Sequence, residues 1–180
     1  MSMTDHVKAT IKSVNFHLRN VYRIRRFITI DSCYHLVRTL ILSRLDYAHS
    51  LMFGTSSKDR KKLQQLQNRA ARIVFRTDRY HPSAPLLDRL HWLPVEKRVV
   101  YKVLLLTFKC LNGLGPSYLT NTLAYYSPVR SNLRSENKQL LQIPRTRRTY
   151  GDNAFRAAAP RLWNAIPTSM RKCNSVCAFK

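Results

Sequence analysis

The nine carboxylates of this 180-residue chain are the first candidates for catalytic residues. Two-metal phosphoryl transfer, for example, needs carboxylates that cluster. They are scattered, with no adjacent pair and no Asp-x-Asp spacing: Asp5, Asp31, Asp46, Asp59, Asp78, Asp88, Glu96, Glu136 and Asp152. Four glycines in the whole chain also exclude a glycine-rich phosphate loop. The sequence therefore predicts no catalytic residues and no enzymatic activity.

The cysteines are the next candidates for chemistry. Cys33 and Cys110 fall within apolar helical patterns, which is typical of small core residues. Cys173 and Cys177 are four positions apart, but no histidine follows them to complete the four ligands of a zinc site. We therefore expect no metal site and no cofactor.

The most pronounced feature of the sequence is its net positive charge. It contains 32 lysines and arginines against nine acids, a net charge of +23, together with 44% apolar residues. A chain this basic favours a polyanionic partner, of which nucleic acid is the first and a membrane surface the second. No apolar run is long enough to span a membrane, and the first residues lack a secretory apolar stretch. We expect an intracellular protein, nuclear or cytoplasmic, that is not secreted and has no membrane partner.

The first predicted helix combines an apolar stripe with a basic one. Its apolar positions recur at three, four and seven residues: Ile11, Val14, Leu18, Val21 and Ile28. Another face carries cations at helical spacing: Lys8, Lys12, Arg19, Arg23 and Arg26. A solvated face normally mixes both signs, whereas Asp5 is the only acid before Asp31. The stripe of one sign therefore favours contact with phosphate.

A later helix repeats this arrangement. It is predicted to start near Ser56–Ser57, with an apolar side made of Leu63, Leu66, Ala70, Ile73 and Val74. Its basic face consists of Lys58, Lys62, Arg69, Arg72 and Arg76. An apolar helix from about Ser32 to Phe53, capped by Asp31 and ended by Gly54, is predicted between the two basic helices. Two basic helical faces in one small region indicate a groove or platform.

The second half of the chain is predicted to centre on one long apolar helix, Val95–Leu111. Pro94 suits its first turn, and Asn112–Gly113 stops it. A short helical turn at Ala84–Leu90 precedes it, and a short helix from Pro116 through Leu123 follows.

Beyond Tyr125 the sequence becomes rich in turns. We expect one strand of a short β-ribbon at Gln139–Ile143. Asp152 is then predicted to cap an alanine-rich helix that Pro160 interrupts. The predicted fold class is mainly α: a helical bundle followed by a helical C-terminal region with this ribbon.

Five stretches of the sequence are together specific to a known family. They are MSMTDHVKATIKSVNFHLRNVYRIRRFI, LILSRLDYAHSLMFG, LQQLQNRAARIVF, LHWLPVEKRVVYKVLLLTFKCLNGLGPSYL and LQIPRTRRTYGDNAFRAAAPRLWNAIP. In this order, and over nearly the whole chain, they resemble the end of the reverse transcriptase polyprotein encoded by LINE-type non-LTR retrotransposons. The resemblance is to the chicken-repeat and jockey-like kind of these transposable elements.

The resemblance implies a reverse-transcriptase thumb-like helical domain at 1–80 and a post-thumb C-terminal region, truncated at its end, at 81–180. In such elements an endonuclease and a polymerase palm with its aspartates lie upstream, so Met1 is expected to be an internal methionine of the parent. The RNA-directed DNA polymerase activity of the family does not carry over, because the residues that perform it are missing. The expected protein is a non-catalytic fragment of this polymerase.

The resemblance also implies the partner. A polymerase thumb holds its template and primer by the backbone, so we expect RNA or an RNA/DNA duplex, such as the element transcript or its target-primed site, bound by the basic helical faces. In the post-thumb region, Arg145, Arg147 and Arg148 are expected to face phosphate. Tyr150 either stacks on a base or packs. The apolar residues around them are expected to pack against the long helix: Leu141, Ile143, Phe155, Leu162 and Trp163.

The alternative is a domesticated or decayed remnant that acts as a protein-interaction module or has no function. A steep salt dependence of RNA binding separates these hypotheses, because a protein interface would not show it.

Overall fold

The computed structural model describes residues 3–47, 53–127 and 139–179. Their regular structure is mainly helical, which confirms the predicted fold class. The chain divides into two compact units, Met1–Val99 and Val100–Lys180. The first unit thus extends past residue 80, where the sequence analysis placed the end of the thumb-like region.

Helix α1 (Met3–Ile24) buries the apolar stripe predicted for it. Val14, Leu18 and Val21 are buried, while Ile11 and Ile28 are partly buried against the same core. A 3₁₀ turn, Arg25–Phe27, follows the helix directly. Burying an aliphatic side chain contributes about 1.5–3 kcal/mol, so packing rather than helix propensity holds α1 in place.

The second helical segment begins and ends earlier than predicted. Helix α2 (Ile30–Val37) continues through a π-helical stretch, Arg38–Leu42, into helix α3 (Ser43–Asp46). Thr29, not Asp31, is the N-cap, since its hydroxyl oxygen accepts a hydrogen bond from the Ser32 backbone nitrogen at 3.2 Å. The α-helix ends at Asp46, where the prediction had it continue, because the backbone is extended at Tyr47. Residues 48–52 of the predicted helix lie outside the described residues.

Helix α4 (Ser57–Phe75) agrees with its prediction. Ser56 caps it by accepting a hydrogen bond from the Asp59 backbone nitrogen at 3.1 Å. All five predicted apolar residues are buried: Leu63, Leu66, Ala70, Ile73 and Val74. Caps and a clear apolar period therefore fixed this helix from the sequence alone.

The connector after α4 packs onto the first unit through helix α5 (Ala84–Arg89) and the residues that follow it. Its buried members are Leu86, Leu87, Leu90 and Trp92. Two glutamines of α4 also hold it: Gln67 Nε2 donates to the Leu93 carbonyl at 2.9 Å, and Gln64 Oε1 accepts from the Val95 nitrogen at 2.7 Å. These contacts explain why the first unit reaches Val99.

Helix α6 (Val95–Leu111) has the predicted bounds. The turn that terminates it contains Gly113, whose φ of +72° lies in the left-handed region that favours glycine. The Leu114 nitrogen donates to the Lys109 carbonyl at 2.8 Å, as in a helix-ending Schellman turn. Helix α7 (Ser117–Thr120) follows Pro116 and ends before the predicted Leu123.

The predicted β-ribbon is reduced, in the described residues, to one antiparallel bridge between Tyr125 and Leu141. This bridge is held by two hydrogen bonds of 2.8 Å, from the Tyr126 nitrogen to the Leu140 carbonyl and from the Gln142 nitrogen to the Ala124 carbonyl. On the opposite edge, Asn164 Oδ1 accepts from the Leu141 nitrogen, and Asn164 Nδ2 donates to the Leu141 carbonyl, each at 2.9 Å. A side chain thus pairs with the edge that a further strand would otherwise occupy.

The core of the second unit is built on Phe108, Leu141, Trp163 and Phe179. The Phe179 ring stacks on Phe108 at 4.5 Å and on Trp163 at 5.9 Å between centroids. Phe108 lies in α6, Trp163 in α9 (Phe155–Ala165) and Phe179 in α11 (Val176–Phe179), while Leu141 lies outside the helices. Two short helices, α8 (Thr149–Asn153) and α10 (Thr168–Arg171), also belong to this unit.

Two predictions for this region are wrong. Ile143 does not pack in the core but is 46% exposed. Pro160 does not interrupt α9, which continues through it to Ala165. A proline inside a helix costs about 3 kcal/mol, and here burial of Pro160 and Trp163 offsets that cost. Phe155 and Leu162 are partly buried, whereas Leu141 and Trp163 are buried as predicted.

We expect Gly115→Ala to lower the free energy of unfolding by about 1–3 kcal/mol. A Cβ at this position would lie 2.6 Å from Cys110 Sγ and 2.8 Å from Cys110 Cα, so the turn after α6 would have to shift. Urea unfolding followed by far-UV circular dichroism measures the effect. The control is Gly113→Asn, since Asn tolerates the left-handed conformation and nothing lies within 4 Å of that position. Equal losses in both variants would contradict the steric explanation.

Candidate nucleic-acid interface

The C-terminal ends of α1 and α4 line one groove of about 1000 Å³ in the first unit. Seven arginines and one aspartate, Asp78, contribute to its wall. The arginines are Arg23, Arg25, Arg26, Arg69, Arg72, Arg76 and Arg79. The groove therefore unites five of the predicted site residues: Arg23 and Arg26 from the first basic stripe, and Arg69, Arg72 and Arg76 from the second.

Arg25 holds the two sides of this groove together and is itself buried. Its Nε donates to the Ile73 carbonyl at 3.0 Å, and its Nη2 donates to the Val74 carbonyl at 2.7 Å. Its Nη1 donates to the Ile28 carbonyl at 2.8 Å. The carbonyls at the C-terminus of α4 carry the partial negative charge of the helix dipole, so a buried guanidinium is stabilised there.

Arg76 ends α4 and completes the link. It has a φ of +54°, and the Thr77 nitrogen donates to the Arg72 carbonyl at 3.1 Å in a Schellman-type turn. Its Nη2 donates to the Arg25 carbonyl at 2.6 Å. A left-handed conformation costs a residue with a Cβ about 1–2 kcal/mol, and the contact with Arg25 helps to hold it.

Neutral oxygens orient two further groove arginines. Arg69 Nη1 donates to Asn15 Oδ1 at 3.3 Å, and Arg72 Nε donates to the His81 carbonyl at 3.1 Å. A guanidinium has five N–H donors, and each of these contacts uses one. The side chains are thus positioned while their positive charge is not neutralised, which suits a phosphate ligand.

The remaining residues of the two basic stripes are exposed on α1 and α4 but do not line the groove. They are Lys8, Lys12, Arg19, Lys58 and Lys62. Lys8 pairs with Asp5 at 3.7 Å, and Lys62 pairs with Asp59 at 3.4 Å, each one helical turn away. These acids reduce the local positive potential along the N-terminal parts of both stripes.

In the second unit, Arg145, Arg147 and Arg148 are exposed, as is Tyr150. Of the two roles considered for Tyr150, burial in the core is therefore wrong. Asp152 stabilises the segment that carries these arginines, because its carboxylate accepts a hydrogen bond from Thr146 and pairs with Arg161. Asp152 lies inside α8 and does not cap the following helix, whose N-cap is Ala154.

These contacts set the protonation of Asp152. The hydrogen bond from Thr146, followed by that from Arg161, holds the pKa of Asp152 below its ordinary value. At neutral pH the carboxylate is therefore charged and can accept both contacts.

Sequence reasoning missed several residues of the groove. Arg25 has no distinguishing spacing, and its role follows from contacts with residues far along the chain. Arg79 lies in the connector, where the helical period that identified the other arginines is absent. Tyr22 and Gln65 also line the groove.

In the part of the chain that the structure describes, no three His, Cys, Asp or Glu side chains come together as metal ligands would. Cys33 and Cys110 are buried, and burial raises the pKa of both thiols. None of the described helices has the length and hydropathy to cross a bilayer. Comparison with family models, with curated proteins and with solved structures gives no match to the chain.

We expect Arg25→Ala to lower the free energy of unfolding by about 2–4 kcal/mol, because it removes charge-assisted hydrogen bonds to buried carbonyls. Arg25→Lys should recover little of this loss, since one ammonium cannot match the planar fork of the guanidinium. The exposed neighbour supplies the control: Arg26→Ala should change stability by less than about 0.5 kcal/mol. Thermal unfolding of the three variants measures these effects. If Arg25→Ala were as stable as Arg26→Ala, the buried contacts would not hold α4 to the turn after α1.

The contact between Thr146 and Asp152 should weaken at acidic pH and should not change between neutral and alkaline pH. Because folding lowers the pKa of Asp152, the stabilisation is complete above the unfolded value of about 3.9 and is lost as pH falls through the folded value. In an NMR titration of the carboxyl groups, the titration midpoint of Asp152 should lie below the ordinary value of about 3.9. The variant Thr146→Val should raise this midpoint. The control Thr149→Val changes a nearby exposed threonine and should leave the midpoint unchanged. Identical midpoints in all three proteins would refute the role of Thr146.

Proposed function

We propose that this protein is a non-catalytic, thumb-like fragment of a LINE-type reverse transcriptase that binds the backbone of RNA or of an RNA/DNA duplex. The observation that carries the proposal is the groove whose wall contains six arginines besides the buried Arg25, and one aspartate. The resemblance of five sequence stretches to the end of these polymerases supports it independently.

The arrangement of donors favours phosphate over other anions of similar charge. Guanidinium groups match the geometry of phosphate oxygens through paired N–H donors. Arg69 and Arg72 lie in the last turns of α4, and Arg76 directly follows that helix. Arg23 and Arg26 lie at the end of another helix. Cations repeated along a groove fit a ligand whose charge also repeats, as a nucleic-acid backbone does.

Binding of this kind does not depend on base sequence. Contacts with phosphate fix register and orientation, whereas sequence is read at base edges in the grooves of a duplex. In the second unit, the exposed Arg145, Arg147 and Arg148 extend the proposal to a further backbone contact with RNA. The missing cluster of carboxylates in the sequence supports a role in binding without nucleotide transfer.

The proposal predicts that cations in the groove affect the salt dependence of binding more than cations elsewhere on the surface. Each phosphate contact on a duplex contributes about 0.9 to the slope of log K against log salt. Replacing Arg23 and Arg26 by glutamine should therefore reduce the slope by about 1–2 on any duplex sequence. Binding of two unrelated duplexes across a range of salt concentrations provides the measurement.

The matched control removes two exposed cations of the same unit that do not line the groove, through Arg38→Gln with Lys61→Gln. It should change the slope by less than half as much. Equal changes in both double variants would mean that net charge alone drives binding. A flat salt dependence in the unmodified protein would instead favour the protein-interaction module.

A further inference from the structure

Three exposed aromatic rings lie at or beside the arginine groove. Tyr22 lines it and is 69% exposed. Phe27 and Tyr80 directly follow the groove residues Arg26 and Arg79, and they are 74% and 84% exposed. Single exposed apolar residues are ordinary on protein surfaces. Three aromatic rings around one basic groove require a more specific explanation.

Two of these rings are paired with groove arginines. The guanidinium carbon of Arg26 lies 4.6 Å from the centre of the Phe27 ring, and that of Arg79 lies 5.1 Å from the centre of the Tyr80 ring. At these distances the cation is attracted to the ring and holds its orientation. With exposure this high, each ring still presents most of its surface to solvent.

A flat exposed ring beside a phosphate-binding arginine suits an unpaired nucleotide. Its phosphate lies within reach of the guanidinium, and its base can stack on the ring. In an intact duplex the base faces are covered by neighbouring pairs, so aromatic rings outside the helix gain no stacking partner. Stacking tolerates any base, because every base has an aromatic face.

We infer that the groove binds unpaired nucleotides, with their phosphates on the arginines and their bases on Tyr22, Phe27 and Tyr80. The inference rests on the proposed function and deepens it, since backbone contact alone makes no distinction between paired and unpaired strands. It assigns the aromatic residues a binding role that the basic stripes did not indicate.

The test separates bases from phosphates by using three ligands with the full-length chain. They are a thymidine oligonucleotide of about 12 nucleotides, an abasic phosphodiester of the same length, and a long blunt-ended duplex. The unmodified protein should bind the thymidine oligonucleotide at least about fivefold more tightly than the abasic one. Replacing Tyr22, Phe27 and Tyr80 by leucine should abolish this preference and should lower the affinity for the thymidine oligonucleotide by a larger factor than the affinity for the duplex.

Matched controls use exposed aromatic residues of the same unit that do not line the groove, through Phe16→Leu and Tyr47→Leu. These variants should keep the preference for the thymidine oligonucleotide. Circular dichroism verifies folding, and the single variant Tyr80→Leu provides the test if the triple variant is unstable.

The possible outcomes distinguish the two proposals. Two outcomes would overturn the role of the rings while leaving the backbone binding intact. In the first, all three ligands bind in a salt-dependent way without a preference for the oligonucleotide that carries bases. In the second, the control variants lose this preference as much as the triple variant does. If none of the three ligands bound in a salt-dependent way, the proposed backbone binding would be overturned as well.

Discussion

The buried guanidinium of Arg25 is the contact on which the arginine groove depends. It bonds to the last carbonyls of α4 and to the carbonyl of Ile28, so it fixes the end of one basic helix against the turn that follows the other. Arginines brought this close repel one another, and an open surface would let them separate. Hydrogen bonds from a charged donor to buried carbonyls contribute about 1.5–3 kcal/mol each, enough to oppose that separation.

Helix polarity explains why the groove forms at this end of the helices. Arg23 lies in the last turn of α1, and Arg72 lies in the last turn of α4. Unpaired carbonyls make a helix C-terminus partly negative, so cations are tolerated there at high density. The N-terminal parts of the same stripes lack this support. There Lys8 and Lys62 pair with acids on their own helices.

Sequence patterns sufficed where local rules decide the structure. A serine cap and an apolar period fixed α4, and Pro94 together with Gly113 bounded α6. They failed where a distant side chain replaced a local partner. The segment around Leu141 forms one bridge with Tyr125, and on its other edge the amide of Asn164, rather than a second strand, pairs with the backbone of Leu141. In the candidate site, the helical period identified the arginines of α1 and α4, but Arg79 lies outside any helix and carries no such period.

Arginine serves two different purposes in this chain, and its position in the sequence does not reveal which. Arg171 repeats the role of Arg25 in the second unit: it is buried, and its Nη1 donates to the carbonyls of Asn164 and Ile166 at 3.1 and 2.7 Å, at the end of α9. Such arginines face carbonyls and offer little to an external anion. Net charge therefore overstates the number of cations that can contact a ligand. Arg145, Arg147 and Arg148 differ, because they are exposed on a segment that the carboxylate of Asp152 holds through Thr146. The capacity of each unit to bind a polyanion follows from the arginines that remain at its surface after its helix ends have been capped.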